Sequence, residues 1–438
     1  MKKDTIKEKD PYSFSAKMYF PKCAIEYLIQ IITTGAYLAK LTTTIGISDG
    51  MTAILASISN LAFIFQFASI HLSHRSSCKL PVIVMTTLNQ LLYSLLYLIP
   101  FMGFSATLNS AIFFVCILSS MAMSQMSGPL TINWFFGLIK PKERGAFSSI
   151  NQIVSNVFGL SFSFAASIVA DKFTEAGNIE GMYITFAITI LVLNILNFFS
   201  LSLAKEKPRV ISKEKTSMIS DFKYLSKNKN LRKYISFSLV YTIASSTAIP
   251  FFGTYQVREL GLSMTQITII STVTAVSAIL FLLIFGNYAR HHTITKTMMI
   301  GLPIMTFAYI FIAFCTPKNG FVMFILYWIV ATFGCAAFSL GIEAIFFELV
   351  DESHRTAAIA MKNIIAGPLG FLTTTALTPL LNYIQNNGNM IFGIKIYGQQ
   401  LFGIIAFLVF GISYVMFFNF AKSHTPIRKH GDEGKDGI

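Results

Sequence analysis

Glu26 and Glu343 stand inside long apolar stretches of a 438-residue chain, with Glu348 about one turn beyond Glu343. A carboxylate placed in hydrocarbon is costly, so it faces a water-filled cavity or a partner. Such a group can hold an ion pair, bind a polar ligand, or take up and release a proton. Glu26 heads a stripe that continues through Gln30, Thr33, Tyr37 and Thr44. Spacings of four, three, four and seven keep these residues on one helical face, as expected of a helix beside water. Glu26 has a second reading, a solvated residue at the helix entrance with Lys22 one turn away. Glu343 also has two readings, a proton-binding group or the partner of Lys362 on the following stretch. Glu348 lies nearer the surface, where Arg144 or Arg355 could pair with it and close one end of the molecule. Lys40 can reach its ammonium out to the interface or contact a substrate.

Polar side chains recur in other apolar stretches. Ser120, Ser124, Gln125, Ser127, Thr131 and Asn133 share one, Asn151, Gln152, Ser155 and Asn156 another, and Ser238, Tyr241, Thr242, Ser245 and Ser246 a third. Serine and threonine often return hydrogen bonds to their own helix and carry little information singly. Gln125, Asn151, Asn156 and Tyr241 carry more, because amides and phenols in hydrocarbon need partners. With aromatics such as Trp134 and Tyr37, they suit a neutral or weakly charged organic ligand.

Other chemistries are not supported. No G-x-x-x-x-G-K-[ST] loop occurs, so nucleotide use is not indicated. His71 and His74 lack acidic or thiol neighbours, and His291 and His292 are adjacent, so no metal site is expected. The five cysteines form no C-x-x-C pair. No nucleophile–base pair lies on neighbouring turns, so an enzyme is not expected. No cofactor is implied.

The elements that must position these residues are twelve apolar stretches, at about 23–46, 50–72, 80–103, 108–139, 146–170, 182–204, 234–256, 265–289, 297–316, 320–349, 357–384 and 398–421. Each is long enough to cross a ~30 Å hydrocarbon slab as a helix. Hydrophobic residues make up 54% of the chain and charged ones 12%, which excludes an ordinary soluble globule. Of the 34 Lys and Arg, all but Lys40, Lys172, Arg258, Lys318, Lys362 and Lys395 fall in the two tails and the even-numbered gaps. Basic loops stay on the cytoplasmic side, so both termini are expected there, in a multi-pass protein of the cytoplasmic membrane. The net charge of +14 is spread along membrane flanks rather than gathered on one face, which argues against nucleic acid and for contact with the lipid bilayer. The first 22 residues show no removable signal peptide.

The expected organisation is a cytoplasmic tail (1–22), a six-helix bundle (23–204), a cytoplasmic loop (205–233), a second six-helix bundle (234–421) and a final tail (422–438). In the central loop Met218, Phe222 and Leu225 recur at helical spacing, which fits either a short amphipathic helix on the membrane face or a solvated linker. The halves resemble each other at an offset of 211 residues. Phe135, Phe136, Leu138, Arg144, Ala146, Ile153 and Gly159 then meet identical residues at Phe346, Phe347, Leu349, Arg355, Ala357, Ile364 and Gly370. Arg144 and Arg355 mark the same turn of each half and so have a structural reading.

On these features the chain resembles the major facilitator superfamily over nearly its full length. Trp134-Phe135-Phe136 followed by Pro141-Lys142-Glu143-Arg144-Gly145 looks like the W-F…P-x-x-R-G turn between helices four and five of bacterial members. Pro250-Phe251-Phe252 and Leu260-Gly261-Leu262-Ser263 look like its end of helix seven and start of helix eight. The G-x-x-x-D-R-x-G-R loop is degenerate, reading Ser69-Ile70-His71-Leu72-Ser73-His74-Arg75-Ser76-Ser77, and its counterpart has Arg290 where the Asp would stand. The drug-antiporter motif of helix five is absent, although Gly367-Pro368-Leu369-Gly370 occurs on helix eleven.

The resemblance implies an all-α membrane protein of twelve transmembrane helices in two pseudo-symmetric six-helix bundles, with a cavity lined mainly by helices one, four, seven and ten. It further implies a secondary transporter that moves a small organic solute by alternating access. The buried positions expected of Glu343 and Glu26 point to protons as coupling ion, and a monomer is expected. The residues expected to serve the substrate or proton are Glu26, Gln30, Tyr37, Gln125, Asn151, Tyr241 and Glu343, with Arg144, Glu348 and Arg355 at an inner gate. Uptake of a polar, sugar-like nutrient, efflux of amphipathic compounds and a non-transporting sensor remain open readings.

Overall fold

The computed structural model describes residues 11–73, 77–140, 143–207, 226–350, 355–391 and 393–423. Among these, eleven helices are long and apolar enough to cross a membrane. The first expected span is present in two pieces, α1 (Tyr19–Thr33) and α2 (Gly35–Thr44). Thr34 is extended at φ −128°, ψ 177°, and Gly35 follows at φ +56°. Glycine has no Cβ to oppose that left-handed conformation, so the hydrogen-bond ladder stops there. Counted with this jointed span, the molecule is a twelve-span all-α membrane protein. Helix is the form that satisfies a backbone in lipid.

The second span is also jointed, as α3 (Asp49–Leu61), a 3-10 turn (Ala62–Phe65) and α4 (Gln66–Ser73). There follow α5 (Lys79–Leu96), α6 (Ala106–Phe136), α7 (Arg144–Glu175) and α8 (Ile179–Leu203). Next, α9 (Lys229–Ala248) runs on through a 3-10 turn (Ile249–Phe251) and a wide π turn (Tyr255–Glu259). The chain ends with α10 (Met264–His291), α11 (Ile294–Ala313), α12 (Gly320–Glu348), α13 (Arg355–Asn386), a two-residue hairpin at Met390–Ile391 and Ile394–Lys395, and α14 (Gly398–Ser423). Both α7 and α13 have 32 residues, and their first and last residues coincide at the offset of 211 found in the sequence. The stretch with Met218, Phe222 and Leu225 lies outside the described residues, as do the tails 1–10 and 424–438.

Contacts gather the chain into two compact units. Unit 1 comprises Met1–Thr34 and Phe65–Glu214, and unit 2 comprises Gly35–Ile64 and Lys215–Ile438. Among the described residues, the chain passes from one unit to the other at the two joints, Thr34/Gly35 and Ile64/Phe65.

In unit 1, α1 lies on α7 and α8, and α5 lies on α6 and α8. Gly159 of α7 leaves room for the Tyr27 ring. The Glu206 carboxylate closes the start of α5, accepting from the backbone N–H of Cys78 at 2.7 Å and of Lys79 at 3.0 Å, where the helix dipole favours an anion. In unit 2, α11 and α12 approach through Gly301 and Gly334, where an added Cβ would lie about 2.5 Å from the opposing backbone. Without water to exclude, such close van der Waals packing is what holds helices together in lipid. An aromatic core of Tyr234, Phe237, Phe251, Tyr255 and Phe324 fills the rest.

Candidate functional site

Unit 1 holds a polar cavity of about 160 Å³ between α1, α5 and α6. Lys22, Glu26 and Gln30 reach it from α1, and Thr86, Asn89, Gln90 and Tyr93 from α5. Ser124, Ser127 and Gly128 complete it from α6. Each set keeps to one helical face. The volume is below the ~300 Å³ at which ligand cavities usually begin, so the occupant it fits is small.

The charged centre is an ion pair one helical turn long, Lys22 Nζ to Glu26 Oε2 at 2.7 Å. The lysine side chain is 8% exposed and the glutamate 36%. The ammonium therefore depends on the carboxylate, because an uncompensated buried charge costs several kcal/mol. Beside this pair Gln90 is 1% exposed, and neither its Nε2 nor its Oε1 has a protein partner. The neighbouring Asn89 is tethered, its Nδ2 donating to the carbonyl and hydroxyl oxygens of Ser120 at 2.6 and 2.9 Å. A buried amide with both ends unpaired is unfavourable until a water or a ligand completes it. Gln90 thus offers the cavity one donor group and one acceptor side by side.

The expected site residues divide. Glu26 and Gln30 meet at this cavity, and the Lys22 beside Glu26 is buried rather than solvated. Thr33 and Thr44, from the same stripe, donate back to Ile29 O and Lys40 O at 2.8 Å. Gln125 is half-buried on α6 but does not line the cavity. Asn151 on α7 does not line the cavity either, and its Oδ1 is buried with no protein partner. Tyr37 is buried in unit 2, beyond the joint.

Tyr241 also belongs to unit 2, stacked on Phe338 at 4.9 Å with its hydroxyl 3.8 Å from Met305 Sδ. Around it Ser238, Thr242 and Ser245 donate to carbonyls of their own helix. Arg144 is exposed, and its Nε donates to Ile139 O at 3.4 Å, within its own turn. Glu348 is exposed at the end of α12. Glu343 and Arg355 lie on α12 and α13, and their side chains are outside the described set.

Sequence reasoning passed over the third span. Thr86, Asn89, Gln90 and Tyr93 recur at three, four and seven residues, a pattern as regular as that of the first span. The resemblance directed attention to helices one and four, and α5 stands between them in this cavity.

A second polar cavity, of about 480 Å³, lies in unit 2 among the turn after α2, the end of the α9 extension and the end of α13. Asp49 is wholly buried beside it. Its Oδ1 pairs with Arg258 Nη1 at 2.9 Å, and its Oδ2 accepts from Gln385 Nε2 at 2.7 Å. That same Nε2 reaches Glu259 Oε1 at 2.8 Å, and Asn389 Nδ2 reaches Glu259 Oε2 at 3.2 Å. Arg258, one of few cations in the odd-numbered gaps, was the sequence signal for this network.

The sequence model of a family described as "MFS/sugar transport protein" matches residues 25–417. No curated protein sequence matches the chain. Among solved structures, a mutant of the nucleoside transporter NupG aligns at TM-score 0.72 with 13% identity, covering 93% of this chain and 99% of its own. NupG itself aligns at 0.68 with 15% identity, covering 94% and 99%. A D-xylose–proton symporter aligns at 0.67 with 15% identity, covering 94% and 100%.

Proposed function

The chain belongs to the MFS/sugar transport protein family and is a secondary transporter of small solutes, not an enzyme; from that premise we propose that it carries a small, neutral, hydroxyl-rich solute. The observation that carries this reading is Gln90, a buried amide with both atoms unpartnered, facing a cavity that already balances its own charge through Lys22 and Glu26. A hydroxyl that donates and accepts at once satisfies both amide atoms. A strongly charged solute would leave one sign uncompensated against a neutral ion pair. The structural neighbours named for nucleosides and for D-xylose with protons carry solutes of the same class.

The solute binds in the unit 1 cavity, contacting Gln90, Gln30 and the Glu26 carboxylate. Uptake is driven by protons, and Glu343 on α12 is the carboxylate that takes one up and releases it, with Glu26 as the second candidate. Tyr37, Gln125, Asn151 and Tyr241 shape the passage, and Arg144, Glu348 and Arg355 serve the inner gate. The basic gaps and both tails face the cytoplasm, and the protein sits in the cytoplasmic membrane as a monomer.

Melting of the purified chain in detergent tests the substrate class, because a solute that binds the folded state raises the melting point. Pentoses, hexoses and nucleosides are expected to raise it, and amphipathic organic cations are not. The reverse order would replace this reading with efflux of amphipathic compounds.

A further inference from the structure

Unit 2 carries a third cleft, open and about 510 Å³, where α9 begins and α14 ends. Lys229, Arg232 and Lys233 line it from the first turns of α9, with Ser236 one turn on. Offsets of three, four and seven put them on one helical face. Met416, Asn419 and Phe420 face them from α14, and among the described residues lining the cleft none is acidic. The two helices are zipped behind the cleft by ring contacts, Tyr234 with Phe420 at 5.6 Å and Phe237 with Phe417 at 5.1 Å. The three basic side chains are thereby left on the outside, exposed.

Orientation in the membrane accounts for basic residues near helix ends, but not for three of them converging on a cleft with an apolar floor. The floor is half-buried Met416 and buried Phe420. From it an exposed apolar strip runs along α14, with Leu408 59%, Ile412 56% and Val415 55% exposed. These residues lie on the same side of α14 as Asn419, at helical spacing. In a bilayer this strip faces hydrocarbon. A ligand with an anionic head and a long apolar tail meets both halves of the surface. A soluble anion would leave the strip unused.

We infer that this cleft binds an anionic phospholipid, its phosphodiester held by Lys229, Arg232 and Lys233 and one acyl chain lying on Leu408, Ile412 and Val415. Asn419 and Ser236 supply neutral hydrogen bonds to the head. The occupied leaflet is the one at which α9 starts, which is the cytoplasmic one under the orientation proposed above. The binding itself depends on neither that orientation nor the identity of the solute.

Native mass spectrometry of the whole chain tests this, released from phosphatidylcholine micelles doped equally with phosphatidylglycerol and phosphatidylethanolamine. The wild type is expected to retain phosphatidylglycerol in preference to phosphatidylethanolamine. Each basic residue near an anionic surface strengthens binding about fivefold, so Lys229→Gln, Arg232→Gln and Lys233→Gln together should cut that preference on the order of a hundredfold. Arg232→Gln alone should cut it about fivefold, which keeps the test open if the triple variant does not fold. Lys296→Gln, an exposed lysine at the start of α11, should leave the preference intact. Equal retention of the two lipids, an unchanged preference in the Arg232→Gln variant, or displacement of phosphatidylglycerol by inorganic phosphate would each overturn the proposal. The last result would make the cleft a site for free anions.

Discussion

The Lys22–Glu26 pair makes an asymmetric prediction, because its two ends differ in exposure, 8% against 36%. Removing one partner of a buried pair typically costs 3–5 kcal/mol, most of it the penalty on the charge left behind. In Glu26→Gln the stranded charge is the buried ammonium. Water reaching the partly open position 26 holds the cost to the lower end, about 3 kcal/mol. In Lys22→Met the stranded charge is a carboxylate that already touches water, and methionine keeps most of the lysine's volume. That variant should cost about 1 kcal/mol. With both changes no charge is stranded, and the cost should be about 1.5 kcal/mol, leaving roughly 2.5 kcal/mol of coupling. Reversible unfolding of the four proteins in mixed micelles of graded SDS content measures this cycle. If Lys22→Met proves as costly as Glu26→Gln, or if the two costs add, the placement of Lys22 as a buried cation held by Glu26 is wrong.

Further expectations follow from the packing and the second network. Gly301→Ala sets a methyl about 2.5 Å from Gly334 O, so it should lower the unfolding free energy by about 1–3 kcal/mol, read as a fall in melting point. Asp49→Asn removes the charge from hydrogen bonds to Arg258 and Gln385; with Arg258 half exposed, the loss should be about 1–2 kcal/mol in the same assay. Glu343→Gln should abolish the dependence of uptake on external pH while leaving solute exchange intact. Unchanged uptake with an unchanged pH profile would remove Glu343 from the mechanism.

The spans were legible because the demand of lipid on a backbone is absolute and leaves its mark on every stretch of ~20 residues. The 211-residue repeat was equally legible, since the turn with its arginine recurs at the start of matching helices. The joints were less so. The run Thr33-Thr34-Gly35 contains the residue that permits a positive φ, but permission is not a requirement, and a polar stripe can run through such a site unbroken. Tyr37 and Thr44 lie beyond that joint, in α2 and in the other unit from Glu26. The burial of Lys22 depends on which helices crowd it, information that no local pattern holds. Gln90 was readable from its spacing with Thr86, Asn89 and Tyr93, but its lack of partners depends on what packs around it, which no local pattern shows.

Counterflow in reconstituted vesicles tests the central claim most directly. Vesicles loaded with an unlabelled sugar or nucleoside, chosen by its effect on melting, should draw in the labelled form through the wild-type chain. Gln90→Leu strands the solute's hydroxyls against an apolar wall, so exchange should fall by about tenfold to a hundredfold, with a melting point no lower than that of the wild type. Full exchange through a well-folded Gln90→Leu variant would place the solute elsewhere, and no exchange through the wild type with any solute that raises its melting point would contradict carriage itself.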